Sequence, residues 1–455
     1  MVIFLALEGK AACGMGGSDL RRITRGQWLA LAAALLGWMF DGFEQGVFGL
    51  VGRPALVDIL DLKDDARIAA DESAPGELRR ETRERVEGLV GAWNDRVSAS
   101  YLLGAAVGGW LFGWLGDRLG RVRAMVFSVL TYAIFTGLCG LAMGPWQMVG
   151  LRFLAALGMG GEWALGVALV MESWPQSMRP LLAGLIGAAA NVGFMLNVVP
   201  VKLVERAADL PMDAGGWRWV LGACAFPAVL TFFLRVFVPE SEKWRQAVQS
   251  GPQSGLTDIF TPALRRRSIL AALLSGIPLL VTWGATASMV TVWARSMSDQ
   301  NWANYTQMTS AFGAVLGTIS GALVAHYLGR RRTYVVLLLG SLLSCLYLFV
   351  FHNRVDGWFL MAVGLTGFFT ASFYGWLPLY LPELFPTRVR ATGQGFGYNF
   401  GRTLAAAGAL IKGSMMANVF HGSYAQAGAV ISLIYLVGLV VIWLAPETRG
   451  QPLPE

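Results

Sequence analysis

Apolar stretches of spanning length recur along the whole chain, and short polar segments rich in Arg and Gly separate them. A helix needs about 20 predominantly apolar residues to cross the hydrocarbon core of a bilayer, where its backbone groups find no hydrogen-bond partners outside the helix. The pattern therefore predicts an all-α membrane protein with twelve transmembrane helices, numbered below as spans. The predicted spans 1 to 12 cover residues 28–51, 97–116, 124–143, 146–171, 180–203, 217–238, 268–295, 305–327, 333–351, 357–381, 392–416 and 423–445.

Composition and charge agree with this class. The chain has 455 residues, of which 55% are hydrophobic and only 14% charged, whereas soluble proteins carry roughly 25% charged residues. These values exclude a soluble fold, and the high apolar content excludes a disordered chain. The net charge of +7 does not indicate nucleic-acid binding, because the Lys and Arg residues fall in short clusters between apolar stretches. Clusters of this kind set membrane orientation.

These basic clusters predict which way the spans run. With twelve spans they all lie on one side of the membrane, and the loops on the other side carry few basic residues. By the positive-inside rule the basic side is cytoplasmic. We therefore expect a multi-pass protein of the plasma (inner) membrane with both termini in the cytoplasm. The clusters are Arg21, Arg22 and Arg25; Arg118, Arg121 and Arg123; Arg265 to Arg267; Arg330 to Arg332; and Arg388 and Arg390.

Three unrelated local patterns recur about 210 residues apart, which indicates a duplication. One of them, ExxPxxxRxxxxG, begins at Glu172 and again at Glu383. The others are a Gly-Arg turn at Gly120 and Gly329, and a Pro-Glu-Ser/Thr sequence at 239–241 and 446–448. Six plus six helices related by a parallel repeat are typical of secondary transporters, whose binding site lies between the halves near the membrane midplane.

The predicted organisation has two pseudo-symmetric six-helix bundles. Its segments are a cytoplasmic N-terminal segment 1–27 (where Met15 is an alternative start to Met1), a first bundle 28–238, a cytoplasmic linker 239–267, a second bundle 268–445 and a cytoplasmic tail 446–455. Within the first bundle, residues 52–96 form a long outer loop of mixed charge, for which we expect an amphipathic helix.

Several motifs resemble the major facilitator superfamily. GWLGDRLGR (113–121) is similar to its signature between spans 2 and 3, and RFLAALGMGGEW (152–163) to span 4 of its metabolite:proton symporters. PESEKW (239–244) and PETRG (446–450) resemble its sugar-porter-like branch, and DGFE (41–44) resembles the DGFD of its organic-acid symporters. The resemblance covers nearly the whole chain and implies transport by alternating access.

The loop motifs imply a gate on the cytoplasmic side. Asp117, beside Arg118 and Arg121, can bind a neighbouring helix end and close that side in the outward-open state. Each half is also expected to form a network of its own, with Glu172 beside Arg179 in the first and Glu383 beside Arg390 in the second. The expected gating residues are Gly113, Asp117, Arg118, Gly120, Arg121, Glu172, Arg179, Glu383 and Arg390.

Some departures from the family narrow the function. The QQxxGxN-type sugar motif is absent from span 7, which argues against a hexose as the substrate. The GPxxGG antiporter motif is absent from span 5, which argues against drug efflux as the function. His326 stands where the second copy of the loop motif would carry Asp, so the second-half loop is expected to matter less.

Charged residues inside predicted spans are costly and indicate function. At 1.5 Å per residue, Asp41 lies about 20 Å from the inner face and Arg152 about 9 Å from the outer face. In a core about 30 Å thick these depths are similar, so we expect the two to pair. The pair either binds and releases a proton during transport or is a static ion pair that locks two helices together. Glu44 shares a helix face with Asp41 by its i,i+3 spacing. Glu162, beside glycines in span 4, is a second candidate for proton coupling.

A second group of polar residues is expected to bind the substrate. Arg402 follows Asn399 in span 11, and a guanidinium offers a planar fork that matches a carboxylate. An Arg held by an acid of span 1 or span 4 is an equally weighted alternative. Asn191 and Asn197 in span 5 are candidate polar groups lining the site.

Together these features favour a proton-coupled symporter of a small organic acid or related metabolite. A carrier or uniporter of a sugar or of a sialic-acid-like sugar acid is the alternative, while drug efflux or a non-transporting nutrient sensor fits less well. The expected partners are a small-molecule substrate, protons and the lipid bilayer, with no nucleic acid, and the chain is expected to be a monomer. No cofactor, metal site or enzyme activity is expected, since there is no Walker A sequence and no His pair at metal-ligand spacing.

Overall fold

The computed structural model describes residues 23–71, 73–207, 209–251, 254–298 and 300–455. The predicted N-terminal segment 1–27 therefore lies outside the described residues, except for its last five. The described part is helical throughout and contains no strand. The prediction of an all-α membrane protein with twelve spans is confirmed.

The first half contains spans 1 to 6. The bounds are Arg25–Ile59 for span 1, Gly76–Leu119 for span 2, Arg121–Cys139 for span 3, Pro145–Ser173 for span 4, Arg179–Leu196 continued by Val198–Ala207 for span 5, and Gly216–Ala223 with Phe226–Val236 for span 6. A short helix, Glu242–Gln249, and a 3-10 turn, Asp258–Phe260, follow before the second half.

The second half contains spans 7 to 12. Their bounds are Arg265–Val281 and Ala287–Met297 for span 7, Gln300–Leu328 for span 8, Arg330–Phe351 for span 9, Gly357–Leu384 for span 10, Arg390–Asn418 for span 11, and Tyr424–Ser432 with Tyr435–Val441 for span 12. Span 7 is interrupted by a π-helical segment, Thr282–Thr286.

Nine of the described helices are long and apolar enough to cross a membrane. The other three spans are 1, 6 and 11. Span 6 is divided into two shorter helices, and spans 1 and 11 carry the buried polar residues Asp41, Glu44, Asn399 and Arg402. Span 6 also carries the buried Arg235, so all three of these spans contribute residues to the candidate site.

Proline and capping side chains set several helix boundaries and bends. Thr24 caps span 1, because its hydroxyl accepts a hydrogen bond from the backbone N–H of Gln27. In span 7, Pro278 has no N–H to donate to the carbonyl of Leu274, and that carbonyl instead accepts the Tyr334 hydroxyl at 2.8 Å. The interruption of span 7 follows within one turn of this proline.

The outer loop is smaller than predicted, because spans 1 and 2 extend beyond the apolar stretches. Span 2 starts at Gly76, so the charged sequence before residue 97 forms nearly six turns at its start. A short helix, Lys63–Ala70, lies between the two extensions. The extensions pack through a small apolar cluster of Leu56, Val57, Leu62, Val86 and Val90. The expected charged helix is therefore a continuation of span 2 rather than a separate element.

The two halves meet along spans 2 and 11, and also along spans 5 and 8. A Cβ added to Gly113 of span 2 would collide with the backbone carbonyl of Ala391 in span 11. The helices therefore approach closely only because this position is glycine. The short arginine-rich loops around Gly120, Gly329 and Pro386 mark this end of the bundles, which we call the basic end.

Candidate functional site

Six charged side chains are buried where spans 1, 4, 6 and 11 come together. A charge inside a membrane bundle is costly unless a partner compensates it. The pairing within this group, called the central cluster below, is therefore its most informative feature. Its members are Asp41, Glu44, Arg152, Glu162, Arg235 and Arg402, each at most 3% exposed.

Arg152 forms its ion pair with Glu44, through Nη1 and Oε1. Its guanidinium also lies over the rings of Phe48 and Tyr101, at 4.2 and 4.5 Å from their centroids. The predicted pairing of Arg152 with Asp41 is wrong. Depth counted along a span cannot separate two acids one turn apart, and Glu44 is the one that lies nearer to the end where span 4 begins.

A second ion pair in the cluster joins Glu162 of span 4 to Arg235 of span 6. The guanidinium of Arg235 also donates to the carbonyl of Met125 at 3.2 Å. A side chain at Gly37 would collide with both Glu162 and Arg235, so the pair packs directly against span 1 at that glycine. Arg235 is missing from the predicted site, although a buried Arg in an apolar stretch of span 6 is a signal that sequence alone provides.

Asp41 lies between these two ion pairs along span 1. Gly37, against the Glu162–Arg235 pair, is one turn before it, and Glu44 is about one turn after it. Both carboxylate oxygens of Asp41 are buried, and neither has a hydrogen-bond partner among the described residues. The charged groups that interact with Asp41 electrostatically are Glu162, Arg235, Arg402 and Glu44.

The predicted substrate-binding residues occupy different surroundings. Arg402 is buried beside Tyr398, with its guanidinium 5.5 Å from the ring centroid. Asn399 donates to the carbonyl of Gly160 across the two halves, at 3.2 Å. Among the described residues, neither the Nε of Arg402 nor the Oδ1 of Asn399 has a hydrogen-bond partner. Asn191 donates weakly to Gly187 in its own helix, at 3.4 Å, and no described contact joins it to the cluster. Asn197 is buried against Gly46 of span 1.

At the basic end, Asp117 of span 2 binds the first turn of span 11. Its carboxylate accepts hydrogen bonds from the backbone N–H of Ala391 at 3.1 Å and from that of Thr392 at 2.8 Å, and the Thr392 hydroxyl donates at 2.5 Å. Backbone N–H groups at a helix N-terminus favour a negative charge. Asp117 thus joins the two halves at this end.

Glu172 of span 4 forms a second connection between the halves. Its Oε1 accepts from Arg121 at 2.9 Å and from Arg390 of span 11 at 2.8 Å, and its Oε2 accepts from Ser241. Arg121 also donates to the carbonyl of Thr387, at 2.8 Å. The predicted networks within each half are wrong in this respect, since Arg390 pairs across the interface with Glu172 rather than with Glu383.

In the second half, Glu383 pairs with Arg330, which was not among the expected gating residues. Arg330 donates from Nε at 2.9 Å and from Nη2 at 2.5 Å, and the hydroxyl of Thr448 donates to the same carboxylate. Arg330 occupies the position in its half that Arg121 occupies in the first. The Gly-Arg repeat in the sequence was the signal for it.

The remaining predicted gating residues lie around these contacts. Gly120 has a φ of +111° and lies against the Glu240 carboxylate. Arg118 is exposed and lies over the Trp114 ring, 5.4 Å from its centroid. Arg179 is buried near Arg390, and its Nε has no hydrogen-bond partner.

At the opposite end of the molecule, described residues of the same two spans border a cavity. A cavity of about 560 Å³ opens there between span 2 and Leu410 of span 11. Its other lining residues are Glu87, Gly88, Gly91, Ala92, Asp95 and Arg96. Among the described residues, spans 2 and 11 are thus joined at the basic end, and the cavity lies between them toward the other end. Among the described residues, no group of three His, Cys, Asp or Glu side chains is placed to hold a metal ion.

Comparison with known proteins identifies the family. Residues 87–410 match the model of the Major Facilitator Superfamily. This match covers more than half of the chain, and the chain belongs to that family. It is therefore a multi-pass membrane transporter of small molecules, not an enzyme.

Individual relatives and solved structures agree with this assignment. The cis,cis-muconate transport protein of Acinetobacter baylyi is 31% identical over 315 residues, which cover 67% of this chain and 74% of the relative. The sialic acid transporter NanX of Escherichia coli is 23% identical, over 84% of this chain and 86% of the relative. The structure of the proton:xylose symporter XylE superposes with a TM-score of 0.73 at 18% identity, covering 94% of this chain and 97% of that one. This last likeness shows the fold alone.

Proposed function

We propose that the protein carries a small organic acid together with a proton across the inner membrane, as a monomer with both termini in the cytoplasm. The observation that carries the proposal is the position of Asp41, buried without a partner between two ion pairs. The basic clusters in the loops around Gly120 and Gly329 support the orientation.

Asp41 is the proposed proton site. An ionised carboxylate in a buried position is costly unless a partner compensates it. In the part of the chain that the structure describes, Glu44 and Glu162 each pair with an Arg, whereas Asp41 pairs with none. A proton on Asp41 removes that cost, and an Arg that approaches during the rocking of the two halves would release the proton again. Arg235 and Arg402 are the basic groups placed to do so.

Arg402 is the proposed anchor for the substrate carboxylate. It lies on span 11 opposite the acids of span 1, in the other half of the molecule, and its Nε is free to donate. Asn399, one turn earlier, has an unused amide oxygen. The relatives named for cis,cis-muconate and for sialic acid both carry molecules with a carboxylate, which supports an acidic substrate here.

The contacts at the basic end are the proposed gate. Asp117 and Glu172 both bridge the two halves there, and these bridges have to break for that end to open. The cavity between spans 2 and 11 at the other end supports an outward-facing arrangement. Alternating access would then exchange the closed end for the open one while the central cluster stays between them.

Uptake into proteoliposomes under an imposed pH gradient tests the coupling. Asp41→Asn is expected to abolish accumulation of an organic acid against its gradient, while exchange of the acid without a pH gradient persists in part. Asp64→Asn is the matched control, because that acid is 92% exposed on the short outer helix. Accumulation that survives in Asp41→Asn would show Asp41 to be structural and would transfer the proton site to Glu44 or Glu162.

A binding measurement tests the anion site separately. Arg402→Ala is expected to weaken binding of an organic acid by well over tenfold, because the loss of a buried charged hydrogen bond costs about 2–5 kcal/mol. Unchanged affinity in this variant, together with binding of a neutral sugar by the unmodified protein, would favour the sugar carrier instead.

A further inference from the structure

Three aromatic rings meet at the interface of the two halves, on spans 1, 4 and 11. The rings of Trp163 and Tyr398 are stacked, with centroids 3.9 Å apart and planes 14° apart. The ring of Trp38 packs against both, with its centroid 6.4 Å from that of Trp163 and 6.2 Å from that of Tyr398. All three are at most 6% exposed. We call this group the aromatic panel.

The aromatic panel adjoins the central cluster on every span that contributes to it. Trp163 follows Glu162 directly, and Trp38 lies three residues before Asp41. Arg402 lies one turn after Tyr398, with its guanidinium near the Tyr398 ring. Flat apolar faces are therefore next to a cation that can bind a carboxylate.

The Trp163–Tyr398 stack crosses from one half of the molecule to the other. Span 4 belongs to the first half and span 11 to the second, so a relative rotation of the halves has to slide or separate these two rings. A face that opens in this way favours a flat π-system, since aromatic groups prefer stacked or edge-to-face neighbours. A saturated chain or ring of the same size gains only the apolar contact.

We infer that the transported acid is planar and unsaturated, an aromatic or conjugated carboxylate, whose π-face lies on the aromatic panel and whose carboxylate binds Arg402. This inference rests on the proposed function and narrows its substrate class. The panel residues Trp38, Trp163 and Tyr398 then determine specificity, while Arg402 provides the charge recognition common to all acids.

Matched pairs of acids test the inference by isothermal titration calorimetry on the purified full-length protein. trans,trans-Muconate and adipate share a six-carbon dicarboxylate skeleton, and benzoate and cyclohexanecarboxylate share a six-membered ring with one carboxylate. The unsaturated member of a pair is expected to bind about tenfold more tightly, as one or two stacked faces would provide. Equal affinities within both pairs would overturn the inference and leave an organic-acid carrier intact. Failure of all four acids to bind would count against the proposed function itself.

Variants of the panel test the same point independently. Trp163→Leu is expected to reduce the affinity ratio of muconate to adipate toward one, whereas Tyr398→Phe keeps its ring and should keep most of the ratio. Trp146→Leu is the control, because Trp146 is exposed and packs edge-on against Trp93 at the far end of span 4. The ratio is measured within one preparation, so partial loss of folded protein does not change it. A wild-type ratio in Trp163→Leu would overturn the assignment.

Discussion

Glu240 and Glu447 cap equivalent helices in the two halves of the molecule. The carboxylate of Glu240 accepts the backbone N–H groups of Arg121 at 2.9 Å and Val122 at 3.1 Å, at the start of span 3. The carboxylate of Glu447 accepts those of Arg330 at 2.9 Å and Arg331 at 3.0 Å, at the start of span 9. The next residue in each segment, Ser241 or Thr448, donates its hydroxyl to a buried glutamate of its own half.

The two caps are expected to respond to pH in opposite directions. Burial alone would raise the pKa of Glu447, but the N–H groups of Arg330 and Arg331 lower that pKa below its ordinary 4.5. Burial raises the pKa of Glu240 above 4.5, although similar N–H bonds oppose the rise. The proton-linked stability from Glu447 is present above pH 4.5 and is lost as the pH falls through its folded pKa. That from Glu240 is present below pH 4.5 and is lost as the pH rises through its folded pKa.

Glu240→Gln and Glu447→Gln separate these effects in thermal unfolding experiments from pH 4 to pH 8. The stability difference between wild type and Glu447→Gln should grow as the pH rises, and the difference between wild type and Glu240→Gln should shrink. Parallel pH profiles for the two variants would contradict the difference in burial on which the prediction depends.

Asp117 is expected to control which end of the molecule is open. Asp117→Asn removes a charge that accepts three hydrogen bonds from span 11, and bonds to charged groups contribute about 1.5–3 kcal/mol each. The population open at the basic end should increase at least tenfold, with slower transport and little change in substrate affinity. Spin labels on the exposed residues Leu119 and Arg388 would report this population.

The second half provides a comparison for this gate. His326 stands at the position equivalent to Asp117, and its ring packs edge-on against Tyr327. His326→Ala should therefore change the label distance between Leu119 and Arg388 far less than Asp117→Asn does. An equal change in both variants would show that the loop motif acts by general stabilisation rather than by its bridge to span 11.

The spans were predicted well because lipid restricts the chain to helices. A stretch of about 20 apolar residues is therefore a direct physical signal of a membrane-spanning helix. Span 2 extends furthest beyond its predicted bounds. Nearly six turns at its start are charged and lie before the apolar stretch, so hydropathy cannot detect them. Helix propensity and the apolar positions Val86 and Val90 extend the helix outward to Gly76.

The sequence named five of the six residues of the central cluster, all except Arg235, but not how they pair. Depth along a span placed Asp41, Glu44 and Arg152 in one layer, yet the two acids share a helix face about one turn apart, and a depth count cannot decide which of them reaches Arg152. The bridge from Glu172 to Arg390 was missed for a different reason. It joins the two halves, and a repeat within the sequence shows only what the halves have in common.

The tail is expected to hold the basic end closed. The carbonyl of Pro454 accepts Arg390 Nη2 at 2.5 Å, the carbonyl of Gln451 accepts Gln176 of the first half at 3.0 Å, and Leu453 is buried. Leu453→Asp should detach this segment and increase the population open at the basic end several-fold. Gln451→Ala is the control, because its backbone carbonyl stays in place. The distance between labels on Leu119 and Arg388 measures both variants, and identical distances would exclude a role for the tail.

The central cluster should respond unequally to the loss of its two neighbouring acids on span 1. Glu44→Gln leaves Arg152 buried without its partner, and breaking a buried ion pair from one side costs about 3–5 kcal/mol. Asp41→Asn removes a carboxylate that has no hydrogen-bond partner, so it should leave the stability unchanged or raise it.

Thermal unfolding of the two variants at one pH measures this contrast. The midpoint should fall strongly in Glu44→Gln and recover in part in the double variant Glu44→Gln/Arg152→Gln, which removes both charges. This recovery separates the stability lost by leaving Arg152 unpaired from the stability lost by altering span 1. If Asp41→Asn is the more destabilising of the two, then Asp41 rather than Glu44 compensates Arg152, and the proton site proposed at Asp41 would have to be reassigned.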